Sequence, residues 1–291
     1  MPQTGMYQVR GCHTPVMRPD DELHTWGGVA AAWERHADKI QTINAPVAEW
    51  LVARLEPKRG QTILELAAGP GDTGFTIARE LRDGRLISSD LAPEMVEIAR
   101  RRAGGFDLTK VEFRTIDAQA IDLPDDHVDG IVCRFGFMLM PDAGAALREC
   151  RRVLRSGGRL VFATWGPPER NPWITALGLA MLQMGHPPPG DPFEAGGMFS
   201  MSDPERVRAM LTKAGFADAN LEEVPVSHRF SSFDEYWSVQ TQIAGSLAAL
   251  ITTLSEDDRT ALRDMVRKSL SAFTGENGLA LPGVAIVASA S

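Results

Sequence analysis

Cysteine is scarce in this sequence: Cys12, Cys133 and Cys150 are the only three in 291 residues. The number is odd, no two are spaced as a C-x-x-C pair, and Cys133 sits in an apolar run. A disulfide framework or a zinc site is therefore not expected, and the thiols fit a reduced, cytoplasmic compartment. Long apolar runs are missing as well. No stretch approaches ~18 consecutive apolar residues, so no integral membrane segment is expected. A basic excess is also absent. Lys and Arg number 30 against 38 Asp and Glu, a formal net charge of −8. Such a balance argues against a nucleic acid partner held on a basic face. The first residues lack the basic start and apolar core of a signal peptide. Residues 1–22 read as a flexible N-terminal leader.

What is present is ordinary globular material, 44% hydrophobic and 23% charged. The length suits one large α/β domain or two small ones. Short apolar runs alternate with amphipathic stretches. Thr62–Leu66, Arg85–Ser89, Val111–Ile116, Val128–Cys133 and Arg159–Thr164 read as strands. Thr73–Leu81, the segment from Pro93 to Arg102, and Ala143–Leu154 read as helices between them. Strands separated by helices pair in parallel through right-handed crossovers, which predicts a doubly wound sheet. Ligands of such sheets sit at the carboxyl ends of the strands.

After Trp165 the texture changes. Pro172–Met184 reads as an apolar helix. A helix running to Ala214 is expected to start at a capping box of Ser202 and Glu205. Ala217–Val226 reads as strand six. Ser232–Leu254 and Ser255–Phe273 read as two amphipathic helices, and Val284–Ala288 as the last strand. Helices inserted at the carboxyl edge of a sheet commonly form a lid. The expected division is 1–22 leader, 23–165 cap helices and cofactor core, and 166–291 lid helices with completion of the same sheet.

Three motifs sit at strand ends. Gly69, Gly71 and Gly74 form a G-x-G-x-x-G pattern within Glu65–Gly74, between a strand and a helix. Small residues such as Ala67, Ala68, Gly69 and Gly71 let backbone approach a ligand, and a helix start offers free N–H groups. Asp90 closes strand two, where a carboxylate can accept from both ribose hydroxyls of an adenosine. It could equally cap the helix that follows. Asp117-Ala118 closes strand three and could meet an adenine amino edge, or form a turn. A dinucleotide-binding oxidoreductase is an alternative for the glycine pattern alone. Glu65 disfavours it, since a carboxylate near the loop repels a pyrophosphate and favours a cationic ligand.

These stretches resemble the class I S-adenosylmethionine-dependent methyltransferase superfamily, and within it the ubiquinone/menaquinone-biosynthesis C-methyltransferases. The resemblance rests on residues 63–74, 88–100, 113–142 and 146–165, and weakens beyond Trp165. It implies a Rossmann-like, mostly parallel seven-stranded sheet with an antiparallel last strand, plus helical lid insertions. It implies S-adenosyl-L-methionine as cofactor. Gly69 and Gly71 would lie against its methionine portion, and Glu65 would orient that loop and the ammonium end. Asp90 would bind the ribose, Leu91 and Met95 would pack on adenine, and Asp117 and Ala118 would meet its amino edge. Arg134 and Phe135 would approach the methionine tail. The Asn/Asp-Pro-Pro-aromatic signature of enzymes methylating nucleic-acid bases is absent after strand four, and no metal site stands out.

The acceptor is less legible. Methyl transfer is an in-line displacement on an activated donor, so alignment and exclusion of water dominate. A base is needed only where the acceptor must lose a proton. Candidates for that role are His36 and His228. Candidate walls for the acceptor are Trp26, Trp33, Met138, Trp165, Trp173, Phe199, Phe233 and Trp237. Each aromatic could instead be ordinary core. The expected function is methyl transfer to a small, partly apolar acceptor, aromatic, quinone-like or lipidic. A cofactor-binding protein without transfer activity is the alternative of another class. The oligomeric state is not set by the sequence, and a homodimer is compatible with it.

Overall fold

The computed structural model describes residues 19–106 and 110–291. Cys12 and most of the expected leader lie outside the described residues. The leader's last four residues open the first helix, α1 (Pro19–Arg35). α2 (Ala37–Leu55) follows, and its buried face of Ile40, Ile43, Val47, Leu51 and Leu55 repeats at helical spacing.

The central strands are β1 (Thr62–Leu66), β2 (Arg85–Asp90), β3 (Val111–Thr115), β4 (Val128–Arg134) and β5 (Leu154–Trp165). β1 and β4 are buried almost throughout, which is why they read as continuous apolar runs rather than alternating ones. Helices α3 (Asp72–Leu81), α4 (Pro93–Ala103) and α5 (Ala143–Val153) make the crossovers. Pro93 stands in the first turn of α4, where its missing N–H costs nothing. Asp142 caps α5 by accepting from the amide of Ala145.

β5 starts earlier than its apolar residues suggest. Leu154 already pairs with Val128, and the register shifts between Val128 and Gly130, with the strand running on through Ser156–Gly158. After β5 come α6 (Pro172–Gln183), α7 (Pro204–Lys213) and β6 (Asn220–Phe230). The cap of α7 is Asp203, whose carboxylate accepts from the Glu205 amide, rather than the expected Ser202. The single helix expected over Ser232–Leu254 is two, α8 (Phe233–Ile243) and α9 (Ser246–Thr253). Gly245 breaks it at φ +55°, a conformation that glycine adopts without steric cost. α10 (Glu256–Ser269) begins at Ser255, which caps it through the Asp258 amide.

The chain ends in a short strand, β7 (Thr274–Gly275), paired with the long β8 (Gly278–Ala290). The sheet order is β3-β2-β1-β4-β5-β8-β6, with β7 on β8. Pairs within β1–β5 are parallel, and β8 runs antiparallel to both β5 and β6. The seven long strands thus form the doubly wound, Rossmann-like sheet expected, with an antiparallel last strand; β7 is an addition too short to leave a sequence signal. α6, and α8 to α10, are the inserted helices. No described helix is long and apolar enough to cross a membrane.

Candidate cofactor and acceptor site

A cavity of about 240 Å³ opens at the carboxyl ends of the parallel strands. Its first half is built from the segments that follow β1 to β4. Ala67, Ala68, Gly69 and Pro70 come from β1, and Asp90 and Leu91 from β2, with Met95 on α4. Ile116, Asp117, Ala118 and Gln119 follow β3; Arg134, Phe135 and Gly136 follow β4. Parallel strands end side by side, so residues far apart in sequence meet here.

The backbone of this half is tightly made. Ala67 and Phe135 adopt φ +50° and +62°, left-handed values that side-chain-bearing residues take only at a cost. Gly136 lies between the two strand ends. A Cβ there would sit 2.5 Å from the Ala67 Cβ and 2.7 Å from the Cys133 Sγ. Gly71, at φ +91°, precedes α3 and backs onto the Phe75 ring, away from the cavity lining. Asp90 fastens the loop: one carboxylate oxygen accepts from the Gly69 amide at 2.8 Å, the other from the Ala92 amide at 3.0 Å. Ala92, not Asp90, is the cap position of α4. Burial raises the Asp90 pKa, and the amides of Ala92, Gly69 and Leu91 oppose that rise.

Glu65 lies beneath the loop and does not line the cavity. It is buried, accepting from the Gly74 amide at 2.7 Å and from the Ser88 hydroxyl at 2.9 Å. Desolvation raises its pKa to about 8, against the pull of these bonds and of Arg134. Its contact with α3 leaves no room for a side chain at Gly74.

Arg134 is the cation of this half. Its guanidinium stands 3.9 Å from Asp72 and makes no hydrogen bond to a described residue, so its donors are unspent. Burial lowers its pKa, opposed by Asp72 and Glu65. Asp72 also binds Arg102 at 2.7 Å, and Arg102 donates to the Pro70 carbonyl at 2.7 Å. Arg102 thereby clamps the glycine loop from α4. Asp117 holds an Asx turn, accepting from the Gln119 amide at 2.8 Å.

The second half is apolar. Trp26 and Trp33 of α1 line it, in edge contact at 6.3 Å. Met138 follows β4, and Trp165 ends β5 with its ring stacked on Phe135 at 3.9 Å. Trp173 of α6 meets Trp165 edge-on at 4.8 Å and stacks on His228 of β6 at 3.9 Å. Helices α2, α6, α8 and α9 close the wall. Desolvation lowers the His228 pKa to about 3, so the ring is neutral at ordinary pH.

Other expected site residues stand elsewhere. His36 joins α1 to α2 and bonds Gln242 at 3.3 Å, outside the cavity lining. Phe199 is buried against Phe193. Phe233 and Trp237 stack on each other at 6.2 Å, with Arg263 and Arg267 over the Phe233 ring. None of the three lines the cavity. Asn44, Gln119 and Arg102 join the site without having been foreseen. Arg102 hides in an Arg100–Arg102 run that reads as a solvated face, and nothing in the pattern of α2 marks Asn44.

Comparison with known proteins agrees with this geometry. Residues 63–158 match a family described as a methyltransferase domain. The demethylmenaquinone methyltransferase of Thermus thermophilus is 40% identical over 114 residues, 39% of this chain and 50% of that protein. The ubiquinone/menaquinone biosynthesis C-methyltransferase UbiE of Caulobacter vibrioides is 34% identical over 135 residues, 43% of this chain and 52% of that protein. The chain thus spans about half the length of these curated relatives. The YcgJ protein from Bacillus subtilis shares the fold at a TM-score of 0.56 and 20% identity, covering 84% of this chain and 96% of that one. Residues 63–158, which hold the glycine loop, Asp90 and the end of β4, are thus the part of the chain that is similar to a methyltransferase domain.

Proposed function

We propose that this protein transfers a methyl group from S-adenosylmethionine to a small, largely apolar acceptor. The carrying observation is one cavity with two chemistries. Strand ends bearing Asp90 and Arg134 face an apolar wall that includes Trp26, Trp33, Trp165, Trp173 and Met138. The first half fits the cofactor. Arg134 has unspent donors for the carboxylate of an amino-acid tail. Gly69 leaves open space where a Cβ would stand, so a ligand can lie against its backbone. Asp90 would take the ribose hydroxyls, Leu91, Met95 and Ile116 the adenine faces, and the Asp117–Ala118 backbone its edge.

When bound, S-adenosylmethionine supplies a methyl group already activated on a sulfonium. The protein's part is then alignment and exclusion of water, the terms that dominate such a displacement. Phe135 and Trp165 form a stacked wall between the two halves, and Trp173 extends it toward β6. Trp26 and Trp33 close the cavity from α1. No base is assigned. His36 does not reach the cavity, and a histidine with a pKa near 3 holds a proton too weakly to remove one efficiently near neutrality.

The test is transfer of a labelled methyl from S-adenosylmethionine into a panel of phenolic, quinol and lipidic acceptors. Label in an organic-extractable product supports the proposal. Tight binding of NAD with no binding of S-adenosylhomocysteine overturns it.

A further inference from the structure

Three side chains in the apolar half of the cavity are unlike their neighbours. Asn44 of α2, His228 of β6 and Gln240 of α8 all line it, and they are 7%, 2% and 6% exposed. None makes a side-chain hydrogen bond to a described residue; Asn44 Oδ1 and His228 Nε2 are fully buried without a partner. Buried polar groups of folded proteins are almost always paired, and an unpaired one disfavours the fold. Two such atoms beside the Gln240 amide, all on one cavity wall, form a pattern that ordinary core packing does not require.

The wall holds them in place without spending them. His228 is fixed by stacking on Trp173, at 3.9 Å and 15°. Trp173 is fixed in turn by its bond to Asn171 Oδ1 at 3.1 Å, which also accepts from the Val284 amide at 3.0 Å. Glycine at 283 leaves the imidazole its room: a Cβ there would be 3.1 Å from Nε2. The acidic and strongly basic side chains of the cavity lining, namely Asp90, Asp117 and Arg134, belong to the strand-end half.

We infer that Asn44, His228 and Gln240 are specificity-determining residues that recognise an uncharged hydrogen-bonding group, a hydroxyl or carbonyl, on an otherwise apolar acceptor. The inference rests on the methyl-transfer reading of the same cavity. Amides and a neutral imidazole both donate and accept, so they suit a hydroxyl or carbonyl. A carboxylate or ammonium entering this half would find no opposite charge among its described lining residues and would lose its hydration. Binding of an analogue without the polar group leaves the three residues unpaired, which is the strongest form of rejection a pocket offers.

The experiment uses three probes of one shape: 4-butylphenol, butylbenzene and 4-butylbenzoate. Each is titrated calorimetrically into the full chain saturated with S-adenosylhomocysteine. The phenol is expected to bind at least about tenfold more tightly than either of the others. Asn44→Leu, His228→Phe and Gln240→Met are each expected to shrink the preference for the phenol over butylbenzene severalfold. Their affinity for S-adenosylhomocysteine should stay within about twofold, which also shows that each variant folds. Equal affinity for all three probes, a preference for the benzoate, no binding of any probe, or a preference intact in every variant overturns the inference. Failure of the wild-type chain to bind S-adenosylhomocysteine instead overturns the reading beneath it.

Discussion

Replacing Glu65 by glutamine removes an ionisable group from beneath the glycine loop without removing its contacts. The amide oxygen can still accept from the Gly74 amide, and the amide nitrogen can donate to Ser88 Oγ. In the folded chain the carboxyl keeps its proton up to about pH 8, against an ordinary value of 4.5. Burial is the main cause. Through that window the folded state binds more protons than the unfolded state, so stability falls as pH rises from 4.5 and levels off above 8. At about 1.4 kcal/mol for each tenfold change in proton concentration, the whole interval is worth up to about 5 kcal/mol. Glu65→Gln cannot ionise and escapes this loss. Urea unfolding of both proteins at pH 5.5, 7.0 and 8.5 isolates the effect, because the other titrating groups cancel in the difference. The variant should gain at least about 2 kcal/mol on the wild type between pH 5.5 and 8.5. Parallel stability curves would refute the buried, protonated carboxyl.

Further outcomes follow from the loop and the strand ends. Asp90→Ala should weaken S-adenosylhomocysteine binding at least about tenfold by calorimetry, through lost charge-assisted bonds and a freed Gly69 amide. Gly136→Ala forces a methyl between Ala67 and Cys133 and should cost about 1–3 kcal/mol in urea unfolding. Arg102→Met removes the bonds to the Pro70 carbonyl and Asp72. It should cost about 2 kcal/mol and weaken cofactor binding, read by the same two assays.

Much of the strand-end half was legible because its chemistry is local. A buried strand, a glycine turn and an acid at the next strand end fall within 29 residues, Thr62 to Asp90. Parallel pairing then brings the ends together whatever lies between. The acceptor half was harder because its residues come from α1, α2, the segment after β4, the end of β5, α6, β6, α8 and α9, which are spread along the whole chain. Phe233 and Trp237 share a helical face, as their spacing says, but that face packs under the arginines of α10. The break at Gly245 was missed because one glycine within an apolar stretch reads as tolerated. Glu65 stands out in the sequence as a carboxylate just before the glycine loop. Its hydrogen bonds turn it toward Gly74 and Ser88, beneath the loop rather than into the cavity.

The central claim is that one cavity seats cofactor and acceptor against opposite walls. A crystal structure of the chain with S-adenosylhomocysteine tests it most directly. The account predicts the ribose at Asp90, the carboxylate at Arg134, and the space before Trp165, Trp173 and His228 left free. A cofactor lying against the tryptophans, or bound outside this cavity, would contradict it.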